Sequence, residues 1–398
     1  MRPHSGQSTP PVLRPARRSG RTSPAIERAR ALQARRRRRD APCGSGPAAP
    51  RELLAASATF SAIFRTMHLG TVLGLPTAPT AALLHLHADG ITPVGAEPAW
   101  ARPLSGVLEA VASAAPACRV YVLWTGSWAD APTTCEAITE LSRAYDCTPT
   151  SAPQLDMVPL LRSAGWDASR AAMLPDIQLL LLSAAFAQSS PPDICAATTA
   201  QICRSREATG LAALPTWQAS AGPLIAACTA PRPDAGNPRG HLSHASVAVG
   251  GTFDRLHAGH RLLLAATALV CSSTVYIGVA SDALLAAKKN AHLIWPFDRR
   301  VAAASDFLKA VRPSLTIETS CLSDPSAPPK AATMDEITAL VISRETATGG
   351  AKVQQMRRDQ GIASPLELIL IDLVGASSQD AAAPKMSSSA LRDGEAAT

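Results

Sequence analysis

From about residue 67 onward, short apolar runs alternate with turn-forming residues at the spacing of secondary-structure elements. Leu83-Leu84-His85-Leu86-His87 and Val120-Tyr121-Val122-Leu123-Trp124 have the length and the branched or aromatic content of strands. The second run leads through Gly126 into a pattern that predicts a helix over Thr133–Tyr145, and Asp176–Ala187 reads as another helix. His85 and His87 fall on one side of the first strand, which favours a half-exposed strand face over a ligand pair. Residues 67–187 are therefore expected to form a small accessory α/β module. From 188 to 244 the composition shifts to Ser, Pro, Ala, Gly and Thr, with Ser190-Pro191-Pro192 and Pro231-Arg232-Pro233-Asp234 as breakers. That segment is expected to be a linker carrying one helix near Ile202, with a domain boundary at about 240.

Beyond it the pattern sharpens. Ser246-Val247-Ala248-Val249 predicts a short buried strand, Gly250-Gly251-Thr252-Phe253-Asp254 a tight turn, Leu262–Val270 an apolar helix entered at Gly259-His260, and Val275–Val279 a second strand. This βαβ unit feeds a helix N-terminus across a glycine-bearing turn. Free backbone N–H groups and the positive end of the helix dipole then converge beyond the strand, where an anion is stabilised. His257 and His260 stand three residues apart at the start of that helix, so both imidazoles belong near the same anion. Near the far end, Lys385-Met386-Ser387-Ser388-Ser389-Ala390-Leu391-Arg392 places serine hydroxyls and two cations where a further helix would begin, a second cradle for phosphate.

Charge changes the picture less than its total suggests. The chain carries +7, but residues 1–40 hold twelve arginines against Glu27 and Asp40, a net of +10, leaving about −3 for residues 41–398. No nucleic-acid partner is expected for the folded part. Residues 1–66 read as a disordered basic tail, since a Pro-, Ser- and Arg-rich segment buries too little apolar surface to offset its ordering entropy. The tail fits a solvated spacer, a mitochondrial targeting peptide or a patch for an anionic surface, and Met67 is an alternative start. No apolar run reaches the length of about 18 residues that spans a bilayer, so the expectation is a soluble, cytoplasmic protein unless the tail directs it to mitochondria. Nine scattered cysteines without a CxxC pair predict reduced thiols and no metal site.

HxGH at 257–260 followed by (K)MSSSxLR at 385–392 resembles the HIGH/KMSKS nucleotidyltransferase superfamily, and the string GGTFDRLHAGH at 250–260 is similar to the eukaryote-type phosphopantetheine adenylyltransferases. The likeness continues through Gly278-Val279-Ala280-Ser281-Asp282, Pro296-Phe297 with Arg300-Val301, Val311-Arg312-Pro313, Leu322-Ser323-Asp324-Pro325 and Leu340–Thr346 to Gly349-Gly350. It covers residues 245–392. The resemblance implies a Rossmann-like, doubly wound parallel sheet over 245–398, with ATP and 4′-phosphopantetheine meeting outside the carboxyl ends of its strands.

Matched position by position, His260 would contact the α-phosphate in the transition state. Thr252 would orient the acceptor phosphate, and Gly251, Phe253, His257 and Gly259 would line the nucleotide. Lys288 or Lys289 would span the acceptor and the α-phosphate. Lys288 is preferred by ungapped counting from Gly278 to Pro296, and all six lysines lie at or after 288 in an otherwise Arg-biased chain. Ser387, Ser388, Ser389 and Arg392 would grip the triphosphate, with Arg344 as a further positive contact. Mg²⁺ is implied as the partner of ATP, with no protein-bound metal or prosthetic group. The product would be dephospho-CoA, and a separate dephospho-CoA kinase is the expected partner enzyme, because a Walker-type lysine cannot precede position 288. Cytidylyl- and nicotinamide-mononucleotide-type transferases of the same superfamily are the alternatives, as is a catalytically silent nucleotide-binding scaffold.

Overall fold

A computed structural model describes residues 78–88, 92, 96–126, 133–183, 192–220, 222, 243–375 and 387–396. The basic tail, Met67, the breaker Pro231–Asp234 and the pair Lys385-Met386 lie outside these residues.

Two five-stranded, all-parallel sheets follow one another along the chain. The first comprises β1 (Ala81–His87), β2 (Arg119–Thr125), β3 (Asp156–Leu160), β4 (Leu179–Ser183) and β5 (Thr216–Ala219), in the spatial order β3-β2-β1-β4-β5. Its helices are α1 (Ala101–Ala114), α2 (Thr134–Asp146), α3 (Ala168–Ala172) and α4 (Pro192–Ala208). α2 starts on a capping box: the Thr133 hydroxyl accepts from the Glu136 N–H, and the Glu136 carboxylate accepts from the Thr133 N–H. The helix expected over Asp176–Ala187 is instead the buried strand β4 at Leu179–Ser183. A short, wholly apolar run carries no periodicity to separate a central parallel strand from a helix. The expected linker also contributes structure: α4 contains Ile202, and β5 pairs in parallel with β4 from Leu180↔Thr216 to Ser183↔Ala219.

The second sheet holds β6 (His244–Gly251), β7 (Cys271–Ala280), β8 (Thr316–Leu322), β9 (Ala339–Ser343) and β10 (Glu367–Ile371), in the order β10-β9-β6-β7-β8. Counted from its own first strand, this repeats the order of the first sheet. α5 (Ala258–Val270) crosses from β6 to β7, α6 (Phe297–Val311) lies between β7 and β8, α7 (Ala347–Asp359) joins β9 to β10, and α8 (Ser388–Ala396) follows. Side chains alternate across the sheet as the pleat requires. Val247, Val249, Val275, Ile277 and Val341 enter one core with α5 and α6, whereas Ala248, Tyr276, Leu340 and Ile342 enter a smaller one on the opposite face.

The larger core is continuous across both modules: Leu141 and Tyr145 of α2 belong to the same cluster as Leu262 and Leu264 of α5. Ten of the thirteen residues of α5 are buried and none is exposed, because α2 and β3 cover the side that the second sheet does not. Trp166, buried in the shared core, donates from Nε1 to the Val311 carbonyl at 2.7 Å, capping the end of α6. Among the described residues no helix is long and apolar enough to cross a membrane.

Candidate functional site

Beyond the carboxyl end of β6 the chain makes a turn that only a few backbone conformations allow. Phe253 and Arg255 adopt left-handed φ values of 52° and 47°, each costing about 1 kcal/mol for a residue with a Cβ. The turn holds them by burying what lies between and beside them. Phe253 is fully buried, and a Cβ on Gly251 would stand 3.1 Å from its ring, so the glycine is what lets the ring fold beneath the turn. Asp254 is 0% exposed and accepts from Arg392 Nη1 at 2.7 Å, Arg255 Nη1 at 3.0 Å and the Trp295 N–H at 3.1 Å. Arg300, equally buried, donates to the Thr252 carbonyl at 2.7 Å, the Trp295 carbonyl at 2.8 Å and the Asp282 carboxylate at 2.6 Å.

His257 is the N-cap of α5 and its side chain makes no capping hydrogen bond, so the N–H groups of the first turn remain directed beyond the helix end. The His257 and His260 rings stack with centroids 4.1 Å apart. Burial, followed by the charges of His257 and Arg261, holds the His260 imidazole well below the usual histidine range, so it is neutral at physiological pH. Its Nδ1 is buried without a hydrogen-bond partner among the described residues. Lys288 reaches back from the turn after β7 and donates to the Thr252 hydroxyl at 3.3 Å. Burial, with the nearby Arg392 charge second, lowers its ammonium from the usual lysine value.

α8 closes the site. Ser387 caps it, its hydroxyl accepting from the Ala390 N–H at 3.2 Å, while the Ser388 hydroxyl donates to the Asp254 carbonyl at 2.7 Å. Arg392, 2% exposed, runs from the Ser389 hydroxyl to the Asp254 carboxylate. The serine cluster is thus docked directly on the glycine turn.

The result is a cavity of about 300 Å³ lined by Gly250, Gly251, Thr252, His257, Gly259, His260, Lys288, Ser387, Ser388, Ser389 and Arg392, with Leu263, Ile342, Ser343, Glu345, Thr346 and Ile371–Val374 completing the wall. Three of the residues singled out in the sequence stand elsewhere. Phe253 lies under the turn; Lys289, its side chain 74% exposed, pairs with Asp393 at 2.9 Å; and Arg344 pairs at 2.5 Å with Asp372, which itself lines the cavity. Asp254 and Arg300 escaped the sequence reading because each acts on residues distant in the chain. The Asp-Arg step inside the turn was the available signal for the first. Among the described residues no group of three or more His, Cys, Asp or Glu side chains stands where it could hold a metal ion.

Comparison with known proteins bears on the same segment. A family model described as cytidylyltransferase-like matches residues 248–393. The phosphopantetheine adenylyltransferase of Saccharomyces cerevisiae is 36% identical over 146 residues, covering 37% of this chain and 47% of that protein. An uncharacterised protein of Schizosaccharomyces pombe is 35% identical over 150 residues, 37% of this chain and 46% of its own length. The phosphopantetheine adenylyltransferase of Thermococcus kodakarensis is 34% identical over 148 residues, 37% of this chain and 84% of that protein. The chain spans about half the length of the two yeast proteins it matches.

Proposed function

The chain belongs to the phosphopantetheine adenylyltransferase family, and on that premise we propose that residues 245–398 transfer the adenylyl group of MgATP to 4′-phosphopantetheine, giving dephospho-CoA and pyrophosphate. The observation that carries this reading is the single cavity that Thr252, His257, His260, Lys288, Ser388 and Arg392 share.

The triphosphate lies across the N-termini of α5 and α8, where unsatisfied N–H groups, serine hydroxyls and the Arg392 guanidinium meet its charge. The phosphate of the acceptor sits between the Thr252 hydroxyl and the Lys288 ammonium, already 3.3 Å apart. One of its oxygens forms the bond to the α-phosphorus as the bond from that phosphorus to the bridging oxygen of the β-phosphate breaks, and pyrophosphate leaves with the electron pair. His260, neutral, donates a hydrogen bond to an α-phosphate oxygen without needing to lose or gain a proton. Lys288 offsets the negative charge shared between the attacking and the α-phosphate. Catalysis on this plan is positioning plus electrostatic stabilisation. The metal arrives with the nucleotide and neutralises part of its triphosphate charge. A dephospho-CoA kinase would consume the product.

The test is a pyrophosphate-release assay with the full-length protein, offering ATP or CTP against 4′-phosphopantetheine, nicotinamide mononucleotide and phosphocholine. Turnover only with ATP plus phosphopantetheine is expected. Turnover with CTP or with another acceptor would assign a different transferase, and MgATP binding without any turnover would assign a silent scaffold.

A further inference from the structure

None of the described residues between 78 and 222 lines the cavity, yet two of the cavity's walls are tied to them. The first wall is the opening turn of α5. Arg261 directly follows His260 and turns the other way, into the first module, where it is nearly buried. Its Nε donates to the Asp156 carboxylate at 2.8 Å and its Nη1 to the Pro153 carbonyl at 3.2 Å. Asp156 opens β3, and its other oxygen accepts from Arg119 Nε of β2 at 2.7 Å. One carboxylate therefore joins two strands of the first sheet to the histidine-bearing helix turn. The second wall is the segment after β10. Ile371–Val374 line the cavity, and the next residue, Gly375, donates its N–H to the Asp146 carboxylate at the end of α2 at 2.9 Å.

We propose that the first module is a positioning platform for the transfer reaction, with Asp156 setting the His260 turn through Arg261 and Asp146 setting the 372–375 wall. This assigns Arg261, Asp156 and Asp146 as positioning residues, and it rests on the adenylyl-transfer reading above. α5 has no solvent-facing side, so its placement is decided jointly by both modules. Of the side-chain contacts that fix it, the charge-assisted ones to Asp156 are directional and set the angle of its first turn, whereas the close-packed apolar ones hold the helix body without a preferred hydrogen-bond geometry. A group that acts chiefly in the transition state loses most of its effect when displaced by about 1 Å. Loosening Arg261 should therefore depress the chemical step and leave nucleotide binding nearly untouched. Loosening Asp146 should weaken the nucleotide wall instead.

The experiment uses full-length Arg261→Gln, Asp156→Asn, their double variant, Arg261→Lys and Asp146→Ala. Turnover is normalised to sites that bind MgATP by calorimetry, so that unfolded protein does not count. Arg261→Gln and Asp156→Asn should each lower kcat per site by about 10-fold or more with MgATP affinity changed less than about threefold, and the double should be no worse than either single. Arg261→Lys should recover part of the loss. Asp146→Ala should raise KM for ATP by about three- to tenfold with kcat nearly kept. Unchanged kcat per site in variants that merely melt at lower temperature would overturn the proposal and leave the module a stabiliser. The His260 ring resonances give a readout that needs no turnover: they should shift in Asp156→Asn, which keeps the Arg261 charge beside the ring, and an unshifted ring would overturn the platform. Failure of the wild-type chain to turn over would instead count against the adenylyl-transfer reading.

Discussion

Neutralising Asp254 is the perturbation that reaches furthest into the site. Its carboxylate is inaccessible to solvent and is the only anion within hydrogen-bond reach of Arg392 among the described residues, at 2.7 Å, with that guanidinium itself 2% exposed. In Asp254→Asn the side chain keeps its size and still accepts from the Trp295 N–H, but a buried guanidinium is left without a counter-charge. Breaking one partner of such a pair costs about 3–5 kcal/mol, because the remaining charge keeps its desolvation penalty. Arg255 loses less, since it also holds Glu395 at 2.5 Å. The expected loss is therefore about 3 kcal/mol, a substantial share of the roughly 5–15 kcal/mol that stabilises a folded domain. Urea unfolding of the full-length variant measures it. The double variant Asp254→Asn/Arg392→Met should regain about 2 kcal/mol over additivity, as the stranded charge is gone, while remaining inactive because Arg392 belongs to the cavity wall. A single-variant cost below about 1 kcal/mol, or strict additivity in the double, would refute the idea that this pair clamps α8 to the glycine turn.

Three further outcomes follow from the same geometry. His260→Ala should lower kcat by about 100-fold or more with MgATP affinity nearly unchanged, checked by single-turnover kinetics and calorimetry; equal losses in both would remove its transition-state role. Lys288→Ala should cost turnover by about 100-fold, whereas Lys289→Ala, which breaks only an exposed pair with Asp393, should stay within about twofold. Burial, with the His87 charge second, lowers the His85 imidazole from 6.5 to about 4. The unfolded chain therefore binds the proton more tightly, and stability is lost as pH falls below 6.5. Chemical denaturation should show a deficit of about 2 kcal/mol at pH 5 relative to pH 7 that His85→Asn largely abolishes.

How much of this was legible depended on the range of the interaction. The βαβ unit from Ser246 to Val279 was readable because its periodicity, glycine turn and helix entry are all local. The cavity residues from His257 to Arg392 were readable because two phosphate-type motifs bracket the domain. Strand β3 went unread: Pro159 interrupts its pattern, and the sheet tolerates it because β3 is an edge strand. The helix near Ile202 was read although α4 shows little amphipathic contrast, whereas β5, a four-residue edge strand, was hidden in a Ser- and Pro-rich stretch. The choice between Lys288 and Lys289 needed the turn after β7 in three dimensions. The links Asp254–Arg392 and Asp156–Arg261 join residues 138 and 105 positions apart, and no single-sequence pattern encodes such a pairing.

The enclosure of α5 leaves a signature that a mutational scan would register. An ordinary surface helix tolerates change on its wet side, so its sensitivity rises and falls every three to four residues. Between Ala258 and Val270 that rhythm should vanish, leaving an unbroken band of intolerance in which even Ala265 and Ala268 resist enlargement, because every flank meets neighbouring protein.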